Sequence, residues 1–512
     1  MLRSSAIISL ISLLSSLVSF FNQLLIAKIF GASIHLDAYL IAVSVPLLVV
    51  GLISGLFSYS IVPTLVKHRT KYPQRYSYFA GLLFLVFIIL AIWISSIAYF
   101  LAPKLIQLMA PTLPVEIQTE AAQMARISWM SPSCVMVISY LTAVHNTIRK
   151  FSIPVIVNTL PPLGMVTFMT LFASQLGVSS LVWGTLTGYL LAIPILYIGV
   201  AKEMVFKKFS FKLWRELLPI FTNIPLVLLS MLCFTIYGTV DAIWASRLGP
   251  SNLSYLGYGQ RLVISIGNIV TLGPWLVLTP YLAEKAVLGE DSQFKSMLAK
   301  AIRMVITFSA LLTLVISLVR VPLINLLFQR GAFDTSSTLG VASVLPGMLF
   351  GMVAMLSVTL IVKALHARGD VTNAAIVGSL GALIYFGLSG GLSQLIGLQG
   401  IVIAYVITWW LLLGICIWLI WKKQIRDWHK STNFRFVACL ILALIASGIL
   451  MQLSQNILIE QISPIISINL AWRLMIVITV GIVSFIGITG GIFRIPEVLL
   501  LSKLLGKVSK SV

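Results

Sequence analysis

Two charged residues stand inside long apolar runs, and they carry most of the chemistry this chain could perform. Arg261 lies well within one such run, too deep to reach water easily. A charge buried in a lipid-solvated segment is costly and faces a cavity or a partner. A guanidinium in that position suits a phosphate, which it grips through two parallel hydrogen bonds. The competing reading is an ion pair with Asp241, which stands near the end of the preceding apolar run. Asp241 could itself hold a coupling ion or proton, or pair with Arg261 or Arg247. Asp37 opens a third run, where a carboxylate either caps the helix dipole or takes part in gating. Lys28 closes the run before it and is expected to snorkel to the interface.

Little else in the sequence could perform catalysis. Only 14 acidic residues and five histidines are present in 512 residues. They form no HExxH and no phosphate-binding P-loop, so no metal or cofactor is expected. A membrane enzyme acting on lipid-linked sugars would need paired carboxylates or a partnered histidine near the interface, and the loops offer neither. Without a nucleotide site, energy for any transport must come from an ion gradient, the membrane potential or the substrate gradient. Cys134, Cys233, Cys416 and Cys439 all sit in apolar stretches, as small packing residues rather than disulfides.

The elements that position these groups follow from composition. The chain is 59% hydrophobic and 10% charged, with a mean hydropathy of +1.04; soluble domains carry roughly 25% charged residues. Apolar stretches near the spanning length of about 20 residues occur at 6–30, 37–63, 78–102, 122–147, 153–175, 178–200, 217–243, 253–282, 298–326, 337–365, 372–396, 400–421, 434–454 and 470–493. The first is too long for a signal peptide and has no convincing cleavage site. None shows the two-residue alternation of a barrel strand, so each is expected to be a helix. The net charge of +21 falls in short runs between the helices. With fourteen helices and an inside N-terminus, 27 of the 35 Lys and Arg lie on the cytoplasmic side. Both termini are therefore expected in the cytoplasm of a bacterial inner (plasma) membrane. A face so basic favours anionic membrane lipids as partners and needs no nucleic acid to explain it.

The chain also repeats itself. Ala27-Lys-Ile-Phe-Gly-Ala-Ser33 aligns with Ala245-Ser-Arg-Leu-Gly-Pro-Ser251, Val62-Pro-Thr-Leu65 with Thr279-Pro-Tyr-Leu282, and Ile148-Arg-Lys-Phe-Ser152 with Ala367-Arg-Gly-Asp-Val371. Six helices per half is an even number, so the halves run in the same orientation about an axis along the membrane normal. The expected organisation is an N-lobe over 1–215 and a C-lobe over 216–430. Helices 13 and 14, with a basic tail, follow over 431–512. The short loops holding Arg149 and Lys150, and Arg368 and Asp370, read as cytoplasmic hinges or gates. Arg330 reads as an outer-gate residue. Pro46, Gly51, Gly55, Gly267, Gly273 and Pro274 offer bending points in the repeat-related helices 2 and 8.

Several segments resemble the MurJ/MviN lipid II flippases of the multidrug/oligosaccharidyl-lipid/polysaccharide exporter superfamily. They are Ile29-Phe-Gly-Ala-Ser33 with Asp37-Ala-Tyr39, Val240-Asp-Ala-Ile-Trp-Ala-Ser246, Tyr258-Gly-Gln-Arg-Leu262, Leu327-Phe-Gln-Arg-Gly-Ala-Phe333 and Ala364-Leu-His-Ala-Arg-Gly-Asp370. The resemblance implies two six-helix lobes around a hydrated cavity, with helices 13 and 14 forming a groove for a lipid tail. It implies an undecaprenyl-pyrophosphate cell-wall precursor as substrate, moved by alternating access, with cell-wall synthesis proteins as partners. It also implies arginines on helices 1 and 2. Here those positions hold Ser16, Asn22 and Val50 or Gly51, and Arg261 and Asp37 are retained. A flippase for another lipid-linked glycan, a multidrug exporter of the same superfamily and a non-transporting envelope scaffold remain the alternatives.

Overall fold

The computed structural model describes residues 2–206, 224–287, 290–422, 430–457 and 470–493, and these are helical throughout apart from short turns. In chain order the helices are α1 (Leu2–Phe30), α2 (Ile34–Leu56), α3 (Val62–Lys71), α4 (Pro73–Met109), α5 (Val115–Ser128), α6 (Met130–Thr147), α7 (Ser152–Val157), α8 (Leu160–Leu176) and α9 (Ser179–Val200). They continue with α10 (Ile224–Thr235), α11 (Tyr237–Ala245), α12 (Asn252–Val287), α13 (Asp291–Leu318), α14 (Arg320–Phe328) and α15 (Thr335–Ala367). The last are α16 (Val371–Ile396), α17 (Leu398–Lys422), α18 (Lys430–Ile457) and α19 (Leu470–Ile486).

Each of the fourteen expected stretches lies on helix in its described part, the seventh from Ile224 on. Among the described residues eleven helices are long and apolar enough to cross a membrane, or twelve if the bent pair Ile224–Thr235 and Tyr237–Leu248 is one span. Phe100, 79% exposed, and Leu383, 71% exposed, show which solvent the surface is built for. In water such a surface would drive aggregation; against acyl chains it costs nothing. Several single stretches are broken helices. The fourth is α5 and α6, broken at Trp129 just before Pro132, and the seventh bends by 50° between Thr235 and Tyr237. α2 runs into α3 through a π-helical turn, Phe57–Ile61. Lys207, Lys208, Lys212, Arg215 and the tail's basic residues lie outside the described residues.

The described residues form two compact units. The first joins the chain up to Gly257 with Arg330–Ser337 and Ala374–Ile401. The second joins Tyr258–Gln329, Thr338–Asn373 and the described residues from Val402 on. α10, α11 and most of α16 thus pack with the first unit, a grouping by contact that differs from the chain order of the repeat.

In the first unit, small residues let backbones meet. A Cβ on Gly164 or Gly184 would strike the other's helix, and one on Gly188 would strike the backbone of Leu160 and Pro161, so α8 and α9 pack without intervening side chains. Phe57, Phe79, Phe84, Phe87 and Tyr140 fill the core between α2, α4 and α6. The Tyr140 hydroxyl donates to the Ala80 carbonyl at 2.6 Å. In the second unit, Leu311, Val315, Leu440, Met451, Val477 and Phe485 join α13, α18 and α19.

The repeat is also written in the backbone. Left-handed residues recur at Gly31 and Gly249, at Arg149 and Gly369, and at Gly177 and Gly397. The turns that follow α6 and α15 close alike: the Lys150 N–H donates to the His145 carbonyl and the Asp370 N–H to the Leu365 carbonyl, each at 2.9 Å. This pairs Arg149 with Gly369 rather than with Arg368, one residue beyond the sequence alignment.

Candidate functional site

The candidate site begins where three loops of the first unit close on one another. Gly31, at φ +59°, ends α1 and turns the chain into α2. Ser33, in extended conformation, caps α2 by accepting from the Leu36 N–H at 3.3 Å. With its own helix already capped, Asp37 turns to the start of α12. Its carboxylate accepts from the backbone N–H groups of Ser251 and Ser254, each at 2.7 Å, and from the Ser254 hydroxyl. Ser251, held at φ +68°, donates its hydroxyl to the Ala32 carbonyl at 2.9 Å. The two turns that match in sequence, 31–33 and 249–251, are therefore bound to each other.

The third loop is the segment around Arg330. The Ala332 N–H donates to the Lys28 carbonyl at 2.9 Å, and Gly331, at φ +60°, lies against that same carbonyl. A side chain at Gly31 would strike the Ala332 backbone. Lys28 itself is exposed. Asp334 then starts α15, accepting from the Ser337 N–H at 2.8 Å and from the Ser337 and Ser336 hydroxyls. Those bonds, the Ser337 hydroxyl first, hold its carboxyl below the ordinary carboxylate value. At the rim, the His35 Nδ1 and the Glu120 carboxylate are hydrogen-bonded at 2.8 Å.

Asp241 lies in α11, buried to 3% exposure. The Tyr385 hydroxyl of α16 donates to its carboxylate. The Tyr237 ring lies 4.3 Å from that of Tyr385, centre to centre. Arg247 lies 4.7 Å over the Trp244 ring.

The remaining residues singled out in the sequence are dispersed. Arg261 is half-buried in α12, within the second unit. Arg368 stacks on Phe294 at 4.0 Å, whereas Asp370 caps α16 by accepting from the Asn373 backbone N–H at 3.4 Å and also accepts from the Asn373 side-chain amide at 2.8 Å. Arg149 is exposed. Of the positions where the resemblance implies arginine, Asn22 is buried and donates to the Pro162 carbonyl at 2.9 Å. A Cβ on Gly51 would already strike the Thr235 side chain.

Sequence reasoning missed Ser251, Ser254 and Tyr385. The two serines carried a local signal, since hydroxyl residues gather where a helix starts. Tyr385 carried none, being one aromatic among many.

This arrangement can hold three loops shut while keeping a buried acid in reserve, which is the equipment of a gated transporter. The family described as Lipid II flippase MurJ matches residues 26–470. A probable lipid II flippase MurJ from Buchnera aphidicola subsp. Schizaphis graminum is 23% identical over 87% of this chain and 88% of its own length. The lipid II flippase MurJ of Burkholderia cenocepacia is 24% identical over 76% of this chain and 77% of its own. Among solved structures, an inward closed lipid II flippase MurJ superposes with a TM-score of 0.77 at 18% identity, covering 95% of this chain and 98% of that one. An inward-facing MATE family multidrug transporter gives 0.68 at 14% identity over 80% and 96%. At those identities the structures establish the fold. The match over most of the chain establishes more: this multi-pass membrane protein belongs to the MurJ family.

Proposed function

We propose that the chain is a flippase that carries an undecaprenyl-pyrophosphate cell-wall precursor across the bacterial inner membrane by alternating access, with lipid II for peptidoglycan synthesis as its substrate. It is a transporter and not an enzyme. The observation that carries the reading is family membership across 26–470. Its structural support is the lock in which Asp37 binds the start of α12 while Lys28 binds the segment after Arg330. In this reading that lock closes the outer gate, Arg261 holds the pyrophosphate, and the turns at Arg149 and at Arg368 and Asp370 work the inner gate. The recurring left-handed positions support two lobes, 1–215 and 216–430, followed by 431–512, with both termini in the cytoplasm. Anionic lipids of the inner leaflet and cell-wall synthesis proteins are the partners.

One observation favours a second substrate. Gly51 has no room for a longer side chain and Asn22 is bonded to a carbonyl, so helices 1 and 2 offer no cationic grip at these positions. A different lipid-linked glycan, less dependent on its pyrophosphate, fits that lining. Depletion in the native cell, with undecaprenyl-linked glycans quantified by mass spectrometry, decides the matter. Accumulation of cytoplasm-facing lipid II, reversed by the wild-type chain and not by Arg261→Ala, supports the first substrate. Unchanged lipid II beside a build-up of another lipid-linked sugar selects the second. No change in either refutes the flippase.

A further inference from the structure

α1 presents two opposite sides, and only one of them suits lipid. Leu14, Leu17 and Phe21 lie half exposed along one side of the helix. Ser15, Ser16, Ser19, Asn22 and Gln23 recur at steps of three and four residues. At 3.6 residues per turn they form an arc of about 120° on the other side, running about 12 Å along the axis. α8 covers one edge of this arc, where the Asn22 side chain donates to the Pro162 carbonyl at 2.9 Å. Beyond that edge Ser16 and Ser19 are exposed. A helix that is apolar on one side and polar on the other stands between acyl chains and water, because polar groups within a membrane face a hydrated cavity or another part of the protein.

The arc carries no charge. Between Arg3 and Lys28 the chain contains no Asp, Glu, Lys, Arg or His. What it offers instead is acceptors. The Ser19 hydroxyl donates to the Ser15 carbonyl at 2.9 Å, which leaves its own oxygen able to accept. The Asn22 amide nitrogen faces the Pro162 carbonyl, so turning the amide over would set oxygen against oxygen. Its Oδ1 is buried with the side chain, at 2% exposure, and has no donor among the described residues. A buried acceptor without a donor is costly and calls for one from outside. Acceptors with no cation among them make a poor seat for a pyrophosphate, whose oxygens also accept. They suit a neutral group rich in donors, such as the hydroxyls and amide N–H groups of a sugar.

We infer that the polar arc of α1, with Ser16, Ser19, Asn22 and Gln23, is a sugar-contacting wall of the transport path, taking the hydroxyl and amide donors of a lipid-linked glycan and leaving its phosphates to other residues. The inference rests on the flippase reading for the route and goes further in assigning what this helix recognises. It makes the glycan, rather than the pyrophosphate, the part of the substrate that α1 selects.

Binding tests the wall apart from transport. Native mass spectrometry of the purified full chain reads its affinity for two probes: bare undecaprenyl pyrophosphate, and the same lipid carrying an N-acetylhexosamine disaccharide. The wild type should prefer the disaccharide probe, a comparison that needs no variant. Ser16→Ala combined with Ser19→Ala removes two hydroxyls, and the ratio of the two affinities should fall roughly tenfold. Ser16→Arg places a cation on the arc and should shift the same ratio toward the bare probe by about tenfold. Melting temperatures matching the wild type confirm that the variants fold. Equal affinity for the two probes in the wild type, or a ratio unchanged in either variant, overturns the sugar wall, and flipping of either probe in proteoliposomes would then keep the flippase. Preference for the disaccharide probe without flipping of either probe or of lipid II keeps the wall and removes the flippase reading. Binding of neither probe overturns both.

Discussion

Replacing Asp37 with asparagine tests the loop lock directly. The carboxylate accepts three hydrogen bonds, from two backbone N–H groups at 2.7 Å and from one hydroxyl. Asparagine offers one oxygen and turns an amino group toward the remaining donor. At least one charge-assisted bond is lost, worth about 1.5–3 kcal/mol, and a buried N–H is left facing another donor. The favourable meeting of a negative charge with the α12 N-terminus goes too, typically 0.3–1 kcal/mol. Measured polar contacts inside membrane proteins fall below such sums, averaging about 0.6 kcal/mol. A loss of about 2–3 kcal/mol is therefore the expectation. Every 1.4 kcal/mol is tenfold in an equilibrium, so the amides of Ser251 and Ser254 should exchange roughly 30- to 150-fold faster. Hydrogen–deuterium exchange of peptides spanning 249–257, in nanodiscs, measures it. Peptides in the α8–α9 pair serve as the internal control. Exchange at Ser251 and Ser254 within threefold of the wild type would refute the claim that Asp37 holds the loops together.

Other outcomes follow from the same geometry. Gly188→Ala pushes a methyl into the Leu160–Pro161 backbone and should cost about 1–3 kcal/mol, read as an earlier thermal unfolding transition in detergent. Arg149, at φ +62°, and Gly369, at φ +73°, occupy the same turn in the two halves. Arg149→Gly should stabilise by up to about 1 kcal/mol and Gly369→Ala should destabilise by about the same amount, since only glycine adopts that region without strain. Equal signs in the melting temperatures would contradict the shared turn. Asp334 has its folded-state pKa depressed by Ser337 and Ser336. Its contribution is thus present above the unfolded carboxylate's value near 3.9 and fades as pH falls through the folded one. Exchange protection of the first α15 amides, corrected for intrinsic rate, should weaken below about pH 4. Asp334→Asn should be insensitive to pH there.

The sequence made the helices legible because lipid imposes a length and forbids unsatisfied backbone, so fourteen apolar stretches could be marked without knowing their neighbours. It did not reveal that the fourth stretch breaks at Trp129 or that the seventh bends after Thr235, since proline and glycine permit a bend without fixing its place. Asp37, Asp241 and Arg261 were visible because charge is rare in such sequence. Their partners were not. Soluble helices advertise their inner face by a polar outer one; these are apolar all round, so nothing local says which side of α16 carries Tyr385 toward Asp241. The repeat placed 31–33 and 249–251 in correspondence and was silent about their touching. At the turns after α6 and α15 it was one residue out of step, because loop residues diverge while the left-handed position stays.

The run from Ile34 to Lys71 is 38 residues of unbroken helix, about 57 Å at 1.5 Å per residue, nearly twice the hydrocarbon thickness of about 30 Å. Mechanically it is a shaft held at both ends, by the loops at Asp37 and near Lys71 by Arg69, which donates to the Thr147 carbonyl at 2.8 Å. Were the Arg69 end released, a tilt of about 10° about Asp37 would carry Lys71 roughly 10 Å sideways, given that length. Bonds of 2.7 Å at Asp37 thus restrain displacements several times their own size at the opposite membrane face. The π-turn Phe57–Ile61 lies along the shaft, where the Phe57 N–H is shared between the Ile53 and Ser54 carbonyls. A shared bond is a soft point, so the shaft can flex there rather than transmit every degree. The stiffness of that single turn sets how faithfully an event at one surface is felt at the other.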